Sequence, residues 1–137
     1  MRYIFVLAAL SILNGCASPV SDVYGDMMNN QFMAHQAEPV PAGMAGHWTG
    51  VSGPYLMTLH LNEDGTGLYC MTGAGSETLS VAKYQGGALY DQGGTRMTLS
   101  VTGDRLMGSP PYKYSQPIEF QRDDSLSMAN PYCRDSM

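Results

Sequence analysis

From residue 46 onward the chain alternates apolar and polar residues with a period of two, and this pattern decides what it can become. In Tyr55-Leu56-Met57-Thr58-Leu59-His60-Leu61-Asn62, the side chains of Tyr55, Met57, Leu59 and Leu61 share one face. Thr58, His60 and Asn62 take the other, as in a strand buried on one side only. Glu63-Asp64-Gly65 supplies turn chemistry, and Gly67-Leu68-Tyr69-Cys70-Met71 returns, so residues 54–72 read as a hairpin. Further strands are predicted at Leu79–Tyr84, Ala88–Tyr90, Thr95–Val101, Arg105–Gly108 and Ile118–Phe120. Gly86-Gly87, Gly93-Gly94 and Gly103-Asp104 lie between them as turns. Ser109-Pro110-Pro111-Tyr112 breaks the series, because adjacent prolines cannot sit in a central strand. Short strands at roughly 8–12-residue spacing imply an all-β fold, a small antiparallel meander closed into a barrel or a sandwich. The two closures share one alternation. The tail from Asp123 reads as irregular, and its Asp123-Asp124 pair as carboxylates meeting water.

Seven Lys and Arg against twelve Asp and Glu give a net charge of −5. Phosphate recognition needs clustered basic residues, so nucleic acid is not an expected partner. With 14% charged residues and sixteen glycines, the chain fits neither a coiled coil nor a charged disordered polymer. A β domain of this size builds a modest core, and such domains commonly need a staple.

The amino terminus carries an address. Met1-Arg2 is a short positive start, and Tyr3 to Leu13 is a mostly apolar run too short to cross a bilayer, which takes ~20 residues. It fits the h-region of a signal peptide. Leu13-Asn14-Gly15-Cys16 follows and resembles the lipobox of bacterial lipoproteins. The resemblance implies that residues 1–15 are a signal peptide cleaved between Gly15 and Cys16, and that Cys16 is the site of lipid attachment. Two or three acyl chains, palmitate among them, make such an anchor stable where one does not. Ala17, where an aspartate would favour inner-membrane retention, implies the outer membrane, with the folded part facing the periplasm or the cell surface.

Residues 16–45 then read as lipid anchor and flexible tether, with Pro19, Pro39 and Pro41 and no sustained alternation. A transient helix over Asp22–Ala37 is weakened by Gly25 and by Asn29-Asn30. Met27, Met28, Met33 and His35 are soft ligands that suit Cu(I), or else form a pliable apolar patch that docks on the domain or the membrane. Once Cys16 is taken by lipid, Cys70 and Cys133 remain, and an oxidising compartment favours their disulfide. Two free thiols or a metal pair are the alternatives.

Gly46-His47-Trp48 at the start of the first strand resembles the Gly-x-Trp of lipocalins. By that resemblance Trp48 is a candidate barrel-end plug, with Arg122 or Arg134 packed over it. Read from the residues alone, Trp48 is simply a large core anchor. Lipobox, small β-barrel and late cysteine together also resemble the periplasmic inhibitors of C-type lysozyme, with Val81-Ala82-Lys83-Tyr84 and Leu89-Tyr90 in the place of their inhibitory stretch. The whole chain is similar to small uncharacterised bacterial lipoproteins, which implies a location and no activity.

An enzyme needs a constellation, and none is legible. Ser76 lies outside any nucleophile elbow, and His60 has no partner in sequence. No cofactor or metal is expected. The loop Ser109–Pro117 is stiff and aromatic, and its Tyr112, Lys113 and Tyr114 form a candidate binding surface. The expected function is therefore a non-catalytic binding or accessory role for a lipid-anchored envelope lipoprotein. Its partners would be the membrane, through Cys16, and an envelope protein. The alternatives are a lipocalin-like carrier of a small apolar ligand and a periplasmic inhibitor of lysozyme or another hydrolase.

Overall fold

The computed structural model describes residues 19–137, with side chains described from residue 23. The lipid-attachment and cleavage residues, Cys16 and Gly15, lie outside the described residues. The alternation from residue 46 folds into eight strands: β1 (Gly46–Ser52), β2 (Tyr55–Leu61), β3 (Thr66–Gly73), β4 (Ser76–Gln85), β5 (Ala88–Asp91), β6 (Arg96–Thr102), β7 (Arg105–Ser109) and β8 (Ile118–Arg122). Each pairs antiparallel with the next, and β8 returns to pair with β1, so the sheet is a closed barrel and not a sandwich. Closure leaves no unpaired edge.

The register sorts the side chains. Trp48 stands opposite Leu59, Gly50 opposite Met57 and Leu106 opposite Phe120, all facing the interior. The core is filled by Trp48, Phe120, Leu59, Leu61 and Leu106, each with essentially no exposed surface. Room for Phe120 comes from two glycines on the strands that flank β8. A Cβ on Gly50 would stand 2.9 Å from Phe120 Cδ1, and one on Gly108 would stand 3.0 Å from Cε2. Missing side chains here let a large ring close the last seam.

Outward positions on β1, β2 and β3 would meet water in a bare barrel, yet Thr49 and Thr58 are buried. The chain after β8 folds over them. Cys133, in the single-turn helix α2 (Pro131–Arg134), is bonded to Cys70 on β3, 63 residues earlier. Around this bridge Leu126 and Ala129 make a second apolar cluster outside the barrel. Asn130 caps α2 by accepting from the Tyr132 N–H at 2.9 Å. The expectation of a solvated Asp123-Asp124 pair is corrected for its first member. Asp123 is buried and accepts from the Thr49 hydroxyl at 2.9 Å and from the Met128 N–H at 3.1 Å, while Thr49 and Thr58 hydroxyls lie 3.1 Å apart. A buried carboxylate must be satisfied this way. Asp124 stays exposed and accepts from the His47 N–H at 3.0 Å, a contact that holds its carboxyl below the usual range.

The segment before β1 is bound to the barrel over most of its described length, which narrows the tether expected there. Helix α1 (Pro19–Met28) stops just before Asn29-Asn30. A 3-10 turn (Phe32–Ala34) then buries Phe32, and Lys83 donates to the carbonyls of Phe32 and His35 at 3.1 and 3.0 Å while lying over the Phe32 ring. Further on, Glu38 N–H donates to the Tyr84 carbonyl at 2.8 Å and Val40 N–H to the Glu63 carbonyl at 3.1 Å. Gly65 (φ +85°) permits this approach, because a Cβ there would strike the Glu38 carbonyl. Proline and polar composition signalled a spacer, but backbone hydrogen bonds to strand ends do not depend on side-chain type and leave no compositional trace.

Candidate functional site

The two ends of the barrel differ in kind. At the end where β1 begins, the Trp48 indole N–H donates to the Met44 carbonyl at 2.8 Å, and Met44 is itself buried. The Arg122 guanidinium lies 4.2 Å over the Trp48 ring and donates to the Ala45 carbonyl at 3.1 Å and to the Gly43 carbonyl. Cation, indole and backbone together shut this end. Of the two arginines considered for this place, Arg122 occupies it. Arg134 is on α2 beside Asp135, at 3.8 Å.

The opposite end keeps a small mouth. A cavity of about 70 Å³ is lined by Met57, Leu89, Met97 and Ile118, with Tyr69, Asp91 and Arg96 at its polar side. Ligand sites for drug-sized molecules run to roughly 300–1,000 Å³, so this interior does not admit a lipid chain as it stands. Burial, then the Asp91 charge, pushes the Tyr69 phenol far above its usual range, so Tyr69 enters as a neutral hydroxyl. Beside the mouth, a groove of about 310 Å³ runs between the N-terminal segment and β5–β6. His35 stacks on Tyr90 there with ring centroids 3.7 Å apart, and its Nδ1 lies 2.9 Å from Gln85 Oε1.

Asp26 on α1 ties groove and mouth together. Its carboxylate accepts from Arg96 Nε at 3.0 Å and from the Tyr112 hydroxyl at 3.1 Å, and that hydroxyl accepts from the Arg96 N–H at 3.3 Å. Tyr112 is thus a positioning residue for the loop. Burial, with Asp26 adding to it, pushes its phenol up to about 12. The neutral phenol makes the contact, so the contribution is complete below the unfolded value of about 10 and is lost as pH rises through about 12. Tyr112→Phe is expected to weaken α1 docking by about 1 kcal/mol, roughly a fivefold rise in amide exchange across α1, and to remove one late phenol from an ultraviolet titration. Unchanged exchange in α1 would show that the hydroxyl does not hold the helix.

Tyr114, by contrast, is 65% exposed, with the Lys113 ammonium 5.5 Å from its ring centre. Of the loop residues singled out in sequence, Lys113 and Tyr114 are free to touch a partner. Val81–Tyr84 lies within β4, paired to β3 and β5, with Ala82 and Tyr84 facing inward. Ser76 opens β4 and is exposed. His60 stacks on His47 at 4.2 Å on the outer wall, and burial lowers its affinity for a proton, with His47 adding to this. Met33 is 83% exposed, while His35 is held by Gln85 and Tyr90. Among the described residues, no group of three or more His, Cys, Asp or Glu side chains is placed to hold a metal ion. Asp26, Asp91 and Arg96 were not legible as site residues, since three separate elements bring them together.

Residues 29–137 match the family described as the bacterial lipocalin LPS transport optimiser YedD. No curated protein matches the chain. Among solved structures, the chain is similar to the lipoprotein YedD from Klebsiella pneumoniae subsp. pneumoniae MGH 78578, with a TM-score of 0.56 and 16% identity over 78% of this chain and 92% of that one. It is also similar to a putative lipoprotein from Streptococcus pneumoniae, with a TM-score of 0.52 and 16% identity over 64% of this chain and all of that one. At such identity the likeness is one of fold.

Proposed function

The chain belongs to the YedD family of bacterial lipocalins, and from that premise we propose that it is a non-catalytic accessory protein of the cell envelope that assists lipopolysaccharide transport through contacts at its open end. The observation that carries this reading is the filled barrel. Only about 70 Å³ remains at the mouth, while Lys113 and Tyr114 stand free beside it. A carrier of acyl chains needs an interior, whereas a docking module needs a rigid rim, and prolines around an exposed tyrosine supply one. Cys16 would anchor the protein to the outer membrane, a reading supported by the lipobox and by the similar structure described as the lipoprotein YedD.

A photocrosslinking residue in place of Tyr114, in the full-length chain in its own cells, tests the docking surface. Adducts with components of the lipopolysaccharide transport machinery are expected at 114 and not at a control position in the opposite end, Glu63. Adducts of equal yield at both positions would remove the open end as the contact surface. The apolar lining of the mouth by Met57, Leu89, Met97 and Ile118 favours a second reading, a carrier of one very small apolar ligand. Native mass spectrometry of gently extracted protein decides it: a persistent extra small mass supports the carrier, and a bare chain excludes it.

A further inference from the structure

We propose that the open end of the barrel faces the bilayer, with the outer side of α1 resting in the lipid headgroup layer. This rests on the Cys16 anchor of the functional reading and goes beyond it in fixing which way the protein points. Covalent geometry supplies the first constraint. Pro19, the first residue of α1, is three residues from Cys16, so their Cα atoms stand no more than about 11 Å apart. The helix itself spans about 15 Å. An acylated Cys16 therefore keeps the start of α1 at or near the headgroups in every arrangement of the linker, and the whole helix within about 26 Å of the anchor residue.

The second constraint is where α1 is fastened. Asp26 binds Arg96 at the start of β6 and Tyr112 in the β7–β8 loop, both at the open end. Gly94, in the β5–β6 turn, lies against the helix so closely that a Cβ there would stand 2.9 Å from Met27 Cα. The helix cannot lie near the membrane without bringing the mouth with it.

The third is what the helix leaves uncovered. Tyr24, Met27 and Met28 are spaced i, i+3 and i+4, so they share a side, and that side points away from Asp26. They are 60%, 49% and 67% exposed, and none is charged. Flexible thioethers and an aromatic ring with a polar tip suit the boundary between headgroups and acyl chains. Tyr114, on the loop that Asp26 holds, is exposed at the same open end. We take a lipid surface as the occupant because the tether length already delivers it.

Nitroxide labels decide the orientation. Cys16 is acylated and Cys70 is bonded to Cys133, so Met28→Cys, Tyr114→Cys and Glu63→Cys each supply one free thiol in the full-length protein. The acylated protein is reconstituted into vesicles of phosphatidylethanolamine and phosphatidylglycerol. Relaxation by lipid-soluble oxygen is then compared with relaxation by a water-soluble nickel chelate. The oxygen-to-nickel ratio is expected to be several-fold higher at 28 and 114 than at 63, which lies in the β2–β3 turn at the shut end. Equal ratios at all three positions in protein that floats with the vesicles would overturn the orientation and leave the anchor standing. Protein that does not float would overturn both.

Discussion

Breaking the Cys70–Cys133 bridge, by Cys70→Ala with Cys133→Ala, is expected to lower the melting temperature by about 15 °C in scanning calorimetry. The bridge joins residues 63 apart, and constraining a loop of that length in the unfolded chain contributes about 4 kcal/mol on the entropic model. Stabilities of whole domains are only about 5–15 kcal/mol, so this is a large share. The damage should begin outside the barrel. Without the bridge, Leu126 and Ala129 lose the disulfide against which they pack, and the cover over Thr49 and Thr58 loosens. Amide exchange should rise first in residues 124–137 and only later in the strands. A melting point unmoved by the double substitution would mean that the tail stays on through Asp123 and its partners alone.

Trp48→Ala should cost about 4 kcal/mol in urea unfolding, near the middle of the range for deleting a buried aromatic side chain. Three things go at once: the ring that fills the shut end, the donor to the Met44 carbonyl, and the face on which Arg122 lies. Trp48→Phe keeps most of the volume and removes the donor, so it should cost between 1 and 2 kcal/mol, roughly that of one buried hydrogen bond with some packing. Arg122→Ala in the wild-type and Trp48→Ala backgrounds gives the coupling between ring and guanidinium, expected at about 1 kcal/mol. A loss below about 1 kcal/mol for Trp48→Ala would show that the shut end is held by the chain around Met44 instead.

The barrel was legible because its strands are half-buried. Alternation in Tyr55–Leu61 and Met97–Val101 encodes an inside and an outside directly, and the glycines at 86, 87 and 103 mark where the sheet turns. What was not legible is everything laid on the barrel's outer surface. Thr58 reads as a solvent-facing strand residue and is in fact fully buried, because the segment that covers it lies far along the chain. Asp123 reads as half of a wet acidic pair for the same reason. The mouth is a harder case. Asp26, Arg96 and Tyr112 come from a helix, a strand and a loop, each with an unremarkable neighbourhood, and only the fold makes them partners. Gly-x-Trp, by contrast, placed Trp48 and an arginine together from a three-residue likeness.

The order of the strands has a consequence for how the molecule is assembled. Seven seams join strands that follow one another in the chain, six across short turns and the seventh, β7 to β8, across the loop of residues 110–117. The eighth, β1 to β8, joins segments at opposite ends of the domain, where the hydroxyl of Thr49 and the carboxylate of Asp123 are 74 residues apart. Local hairpins form quickly and distant pairings slowly, so this seam closes last. Until it does, β1 and the strands behind it present two open edges on which other chains can add. A chain emerging in order from its amino terminus stays in that vulnerable form until Ile118–Arg122 is free, and the bridge from Cys133 can lock the barrel only afterwards. Loss of the last twenty residues would therefore be felt as aggregation during synthesis, before any stability measurement could register it.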